Sequence, residues 1–117
     1  MDDPNRFLPL SPHQFHILLA LAGQDRHGYA VIQEVERRTE GTLRLGTGTL
    51  YTAISRLVEL GLIVDTGRAD ERRRYYRLLP LGRSVLRAET ARLEALVKHA
   101  YEEGIRPSIS PALSRRS

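Results

Sequence analysis

Apolar positions along this chain recur every three to four residues in four separate stretches, and switch once to alternation. Phe15, Leu18, Leu19 and Ala22 make the first helical stripe, which ends at Gly23. It opens at Ser11-Pro12, a hydroxyl cap followed by proline at the first helical position, where a missing N–H costs nothing. Gln14 completes a capping-box pattern. Gln24 to His27 reads as a polar turn. Gly28 then opens a second helix to about Thr39, with Tyr29, Ile32, Val35 and Glu36 in its register and Gly41 as its breaker. His27, beside Gly28, shapes the entry to that helix. Thr42 to Leu45 is a connector whose alternating Leu43 and Leu45 suit a small strand. In the third stretch, Leu50, Ile54 and Leu57 form one stripe, Thr47 is the expected N-cap, and Gly61 sits where a left-handed terminator is wanted.

Beyond Gly61 the rhythm changes. Leu62, Ile63 and Val64 are a short apolar run, Thr66 to Glu71 is polar with Gly67 and Asp70 as turn residues, and Arg72 to Leu79 reads RRRYYRLL. Tyr76 and Leu78 share one strand face and Arg73, Tyr75 and Arg77 the other, so the pair is a hairpin carrying Arg68, Arg72, Arg73 and Arg74 at its tip and outer face. Pro80 begins a last helix, from about Leu81 to Glu103, with Leu86, Leu93, Leu96, Val97 and Ala100 on its apolar side. The three-helix core before it already looks complete. A leftover apolar side of this length finds a second copy of the chain. The expected division is an arm (1–10), a winged helix-turn-helix unit (11–79), a dimerisation helix (80–104) and a disordered tail (105–117). The fold class is mainly α with a small β hairpin.

Composition narrows the function. The 117 residues fit one domain, 41% are hydrophobic and 27% charged, and the net charge is +4, nearly all of the cations being arginine. A basic balance suits a polyanionic partner. There is no cysteine, which removes disulfides, thiol catalysis and thiolate metal sites. His13 and His16 stand three apart on one helix, but no third ligand joins them, and His27 and His99 are remote, so neither a metal nor any cofactor is expected. No serine, histidine and acid form a catalytic set, and Gly46-Thr47-Gly48-Thr49 lacks the lysine of a phosphate-binding loop. An enzyme is not expected. The acidic N-terminus lacks the order of a signal peptide and no apolar run spans a bilayer, so the expected location is the cytoplasm.

The order helix, helix, helix, basic hairpin, long helix describes a winged helix-turn-helix, with the third helix in the major groove and the hairpin along the backbone or into the minor groove. The free face of the third helix carries Thr49, Thr52, Ser55 and Arg56, short donors and acceptors with one forked cation, and Glu59 is its one carboxylate. Each feature has a plainer reading: a solvated helix face, and an edge strand protected by charge. A winged helix can also serve as a protein–protein interaction module that binds no DNA, and this is the alternative function.

Four segments carry a resemblance: ILLALA from Ile17, RHGYAVIQEVERRTEG from Arg26, LGTGTLYTAISRLVELGLI from Leu45, and DERRRYYRLLPLGRSVL from Asp70. Together they resemble the PadR family of bacterial transcriptional regulators, over about Leu8 to Ala100. The resemblance implies a winged-helix homodimer that represses transcription from a palindromic double-stranded operator. It places Thr49, Tyr51, Thr52, Ser55 and Arg56 in or beside the groove, and Tyr29, Arg72, Arg73 and Arg74 near the backbone; Thr47, and Tyr75 whose hydroxyl can reach phosphates, complete the expected DNA-binding set. Leu79 stands where the family commonly has threonine. Some short members bind flat aromatic molecules between subunits, stacked on a tryptophan. This chain has none. Either Phe15 and Tyr101 substitute, or the protein answers another signal, or none.

Overall fold

A computed structural model of the chain describes residues 2–108. The elements are a 3-10 turn (Pro4–Phe7), α1 (Pro12–Ala22), β1 (Arg26–His27), α2 (Gly28–Arg38), α3 (Thr47–Glu59), β2 (Ile63–Asp70), β3 (Arg73–Leu78) and α4 (Pro80–Glu102). Three helices pack around one core and a three-stranded antiparallel sheet, ordered β1-β3-β2, closes one side. The fold is the winged helix expected from the pattern. Of the tail expected to be disordered, residues 109–117 lie outside the described part.

Local chemistry explains where each helix starts and stops. Gln14 N–H donates to Ser11 Oγ and Ser11 N–H donates to the Gln14 side chain, both at 3.1 Å, so the capping box forms as read. At the other end of the core, α3 closes with Gly61 at φ +78°, Gly61 N–H on the Val58 carbonyl and Leu62 N–H on the Leu57 carbonyl. That is the paired C-terminal closure for which glycine is suited. Leu50, Ile54 and Leu57 are at most 3% exposed, as their spacing requires.

Several expectations need correction. α1 buries Ile17, Leu18, Ala20 and Leu21, while Phe15, Leu19 and Ala22 are only half-buried, so the helix is turned towards its continuous ILLALA run. Within α2 the inner face is Gly28, Val31, Glu34 and Val35 rather than one containing Tyr29 and Glu36, both of which are exposed. Arg26 and His27 belong to a strand, not to a turn; they pair with Tyr76 and Tyr75 of β3. Residues 42–45 form no strand. Gly67 and Asp70 are not the hairpin turn: β2 continues to Asp70 and the reversal falls at Glu71 and Arg72, both at positive φ (50° and 69°). Gly67, at φ +82°, instead lies where the β2–β3 register slips between Asp65 and Ala69, a bulge within the wing.

The arm is held on the core. Leu10 is buried, Phe7 and Leu8 pack on the core, and Leu10 N–H donates to Glu89 Oε2 of α4 at 2.9 Å. Glu89 is only 2% exposed and also accepts from Arg92. A second buried carboxylate, Glu34, receives Arg37 and Arg38, with Arg26 at 3.9 Å. The Arg37 hydrogen bonds, with the other two cations, outweigh burial and hold it down to about 2. Gly82 explains the PLG stretch at the start of α4: a Cβ there would overlap the Leu62 carbonyl oxygen and lie 2.6 Å from Leu78 Cδ1.

Candidate nucleic-acid interface

With its apolar stripe buried, α3 leaves Thr47, Thr49, Thr52, Ser55 and Arg56 exposed along one outer face, and Tyr51 44% exposed beside them. Thr47 does not cap the helix. Gly46 is the N-cap, in extended conformation, and no side chain satisfies the first amide groups. Thr47 therefore stands in the first turn with its hydroxyl uncommitted to a cap. Arg56 reaches Glu59 at 3.4 Å, one loose contact on the surface.

The wing is tied to this helix through the amino end of α2. His27 is the N-cap of α2: Ala30 N–H donates to its Nδ1 at 3.1 Å, which fits its expected role at the helix entry. Burial first, then the nearby Arg73 charge, lowers the His27 pKa, so the neutral imidazole needed as acceptor is favoured. Gly28 follows because α3 comes so close: a Cβ there would lie 2.8 Å from Tyr51 Cζ and nearer still to its hydroxyl. Next in the chain, Tyr29 is 52% exposed, with the Arg73 guanidinium 5.6 Å from its ring centroid. His27 meets Tyr75 edge to face at 5.3 Å, and Arg68 stacks on the outer side of Tyr75 at 4.0 Å. The H-G-Y triplet thus joins wing, α2 and α3 at one corner.

The wing arginines are not equivalent. Arg77 forms a two-toothed pair with Asp25, its Nη2 2.8 Å from Oδ2, and fastens β3 to the segment before β1. Arg74 contacts Asp65 at 3.3 Å. Arg68 and Arg73 lie on aromatic rings, which fixes their direction while leaving donors free. Arg72, at the reversal, forms no ion pair among the described residues. Tyr75 is half-buried between Arg68 and His27. The sequence pattern showed the cations but missed Asp25 and Asp65 as their partners, because strand register decides those pairings.

Beyond the three-helix core, α4 exposes Leu93 (38%), Leu96 (51%) and Val97 (49%), with Ala100 half-buried. Leu86 does not join them; it is 7% exposed and belongs to the chain's own core. Phe15 and Tyr101 line one open groove of about 650 Å³ between α1 and α4, together with Leu93, Val97 and Lys98. Among the described residues no three histidines or carboxylates gather as a metal site, and no helix is long and apolar enough to cross a membrane.

The model of the "Transcriptional regulator PadR-like family" matches residues 17–88, the span from α1 through the wing to mid-α4. This chain belongs to the PadR-like family of transcriptional regulators. Proteins of that family are transcriptional regulators. Over 97 residues it is 33% identical to a 37.1 kDa protein of a Streptomyces fradiae transposon, covering 83% of this chain but only 27% of that protein. It is 32% identical over 77 residues to protein X of Lysinibacillus sphaericus, covering 60% of this chain and 67% of the relative. Among solved structures, a transcriptional regulator from Clostridium thermocellum superposes with a TM-score of 0.68 at 27% identity, covering 80% of this chain and 90% of its own. RosR from H. salinarum gives 0.62 at 27% identity, covering 80% and 79%. The wing, the H-G-Y corner and α3 all fall inside the family match.

Proposed function

We propose that this PadR-like regulator is a ligand-responsive repressor that binds a palindromic operator as a homodimer. The observation that carries the reading is the corner at Gly28. There an α3 face of hydroxyls and one arginine lies beside a wing whose Arg68 and Arg73 are held on tyrosine rings. Residues 11–79 are the DNA-reading unit. Thr49, Thr52, Ser55 and Arg56 face base edges, Thr47 and Tyr51 sit at the groove margin, and Tyr29, Arg72, Arg73, Arg74 and Tyr75 face phosphates. The α4 segment (80–104) pairs with its copy through Leu93, Leu96, Val97 and Ala100, which sets two α3 helices about one DNA turn apart, ~34 Å. A flat apolar effector enters the groove at Phe15 and Tyr101, and the protein works in the cytoplasm.

Selection of bound duplexes from a random pool tests the reading: a two-fold symmetric motif is expected, and enrichment of no motif would refute it. Roles separate by substitution. Arg56→Ala relaxes base preference, whereas Arg73→Ala weakens all sequences alike and makes the salt dependence shallower by about 0.9 in log–log slope per lost phosphate. Equal loss across sequences for both variants would sink that division.

A further inference from the structure

Two shallow grooves run along the flank of α3 away from Tyr51 and the wing. One, of about 560 Å³, lies between α3 and the start of α1; the other, of about 420 Å³, lies between α3, α1 and the arm. Both are lined by Gln14 and Arg56, so they form one continuous trough. Its polar walls are Arg6, His13, Gln14, Thr49, Thr52 and Arg56, and no carboxylate lines either part. Cations, an amide and hydroxyls, with Asp2 and Glu59 only at the rim, suit a chain of phosphates.

We propose that the arm is a second backbone-gripping element: Arg6, with His13 and Gln14, holds the phosphodiester strand on the side of the major groove opposite the wing. This rests on the proposed DNA-binding reading of α3 and adds a contact outside it. Arg6 is pre-positioned because the arm is folded locally around it and held on the core through Phe7, Leu8 and Leu10. Asp3 caps the 3-10 turn by accepting Asn5 N–H at 2.9 Å, and Leu10 N–H is held by buried Glu89. Phe7 carries the Arg6 guanidinium 4.8 Å from its ring centroid. Arg6 rests on one exposed carboxylate, Asp2 at 3.3 Å. Such a single, solvated contact exchanges readily for the paired hydrogen bonds of a guanidinium on a phosphate. Asp2 is thus a stand-in for the phosphate and competes with it.

Binding of a labelled mixed-sequence duplex, followed over a series of NaCl concentrations, tests the proposal. Arg6→Ala should make the log–log slope shallower by about 0.9 for each bound protomer and weaken binding about fivefold per protomer near 0.15 M salt. Asp2→Asn should tighten binding at low salt. A wild-type slope for Arg6→Ala, alongside a reduced slope for Arg73→Ala, would overturn the arm's role and leave the wing's intact. Equal or weaker binding by Asp2→Asn would overturn the exchange. A wild-type protein indifferent to duplex even in dilute salt would remove the reading of α3 and the arm's share with it.

Discussion

The two halves of α4 carry similar side chains and do different things. Up to Glu89, the helix is fixed on its own core through Gly82, Val85, Leu86 and Glu89, all buried. From Leu93 on, leucine and valine continue at helical spacing, yet Leu93, Leu96, Val97 and Tyr101 are each 38% exposed or more. Residue type does not separate the halves. What separates them is whether the rest of the chain reaches that far. The first half meets the Leu62 carbonyl, the β3 strand and the arm; the second runs past the end of the three-helix core. An apolar stripe therefore says that a surface will be covered, and only the fold says by whom.

The sharpest way to break the first half is Gly82→Ala. The new methyl would meet a backbone oxygen, which cannot rotate away, so the cost should approach the upper end of overpacking, about 3 kcal/mol. Urea unfolding would show it as a lower midpoint at unchanged slope; a wild-type midpoint would mean that α4 does not sit this close. Glu89→Ala comes next, at about 2 kcal/mol, because it strands the Leu10 N–H without its acceptor. Proteolysis of the arm should quicken with it.

Glu89 also sets a pH dependence. The Arg92 hydrogen bond, aided by Leu10 N–H and opposed by burial, holds its pKa below the usual 4.5. A depressed folded pKa means that the unfolded chain binds more protons at acid pH. The Glu89 contribution is complete above about the ordinary value and is lost as pH falls through the folded one. Glu89→Gln should flatten the acid limb of a stability–pH curve, and an acid limb as steep as wild type would exclude this carboxylate as its source.

Two smaller effects sharpen the contrast. α4 starts at Leu79 with no side-chain cap, so Leu79→Thr should supply a hydroxyl to the first turn. Some apolar burial is lost in exchange, and a net gain of about 0.5 kcal/mol is expected in thermal unfolding. In the second half, Leu96→Ser should change the chain's own stability least of all. Its readout is sedimentation: a wild-type mass near twice the 13.3 kDa chain should fall towards that of one chain. A variant that stays paired would mean that another surface joins the copies.

How much of this was legible in the residues divides along one line. Features that one short stretch decides could be read: the Ser11-Pro12-Gln14 start, the Gly61 stop, the α3 stripe, and the two faces of β3. Features that need a distant partner could not. Arg26 and His27 are a strand only because β3 lies beside them, fifty residues on in order of magnitude. Glu89 looks like any surface glutamate until the Leu10 amide arrives, and Leu86 looks like its neighbours further along α4. The hairpin reversal at Glu71 and Arg72 carries none of the glycine or asparagine that usually marks positive φ, while Gly67 and Asp70 advertised a turn that is not there. Thr47 lost the cap to Gly46 within a single residue, a choice that propensity does not resolve.

Leu62 deserves a last consequence. Its amide is bonded to the Leu57 carbonyl of α3, and its own carbonyl accepts Leu79 N–H at 3.0 Å where α4 begins. The backbone of one residue therefore joins the tail of one helix to the head of the next. Since α4 extends 23 residues from that joint, a tilt of about 5° there swings its far tip by about 3 Å. A displacement of that tip would therefore reach α3 through Leu62.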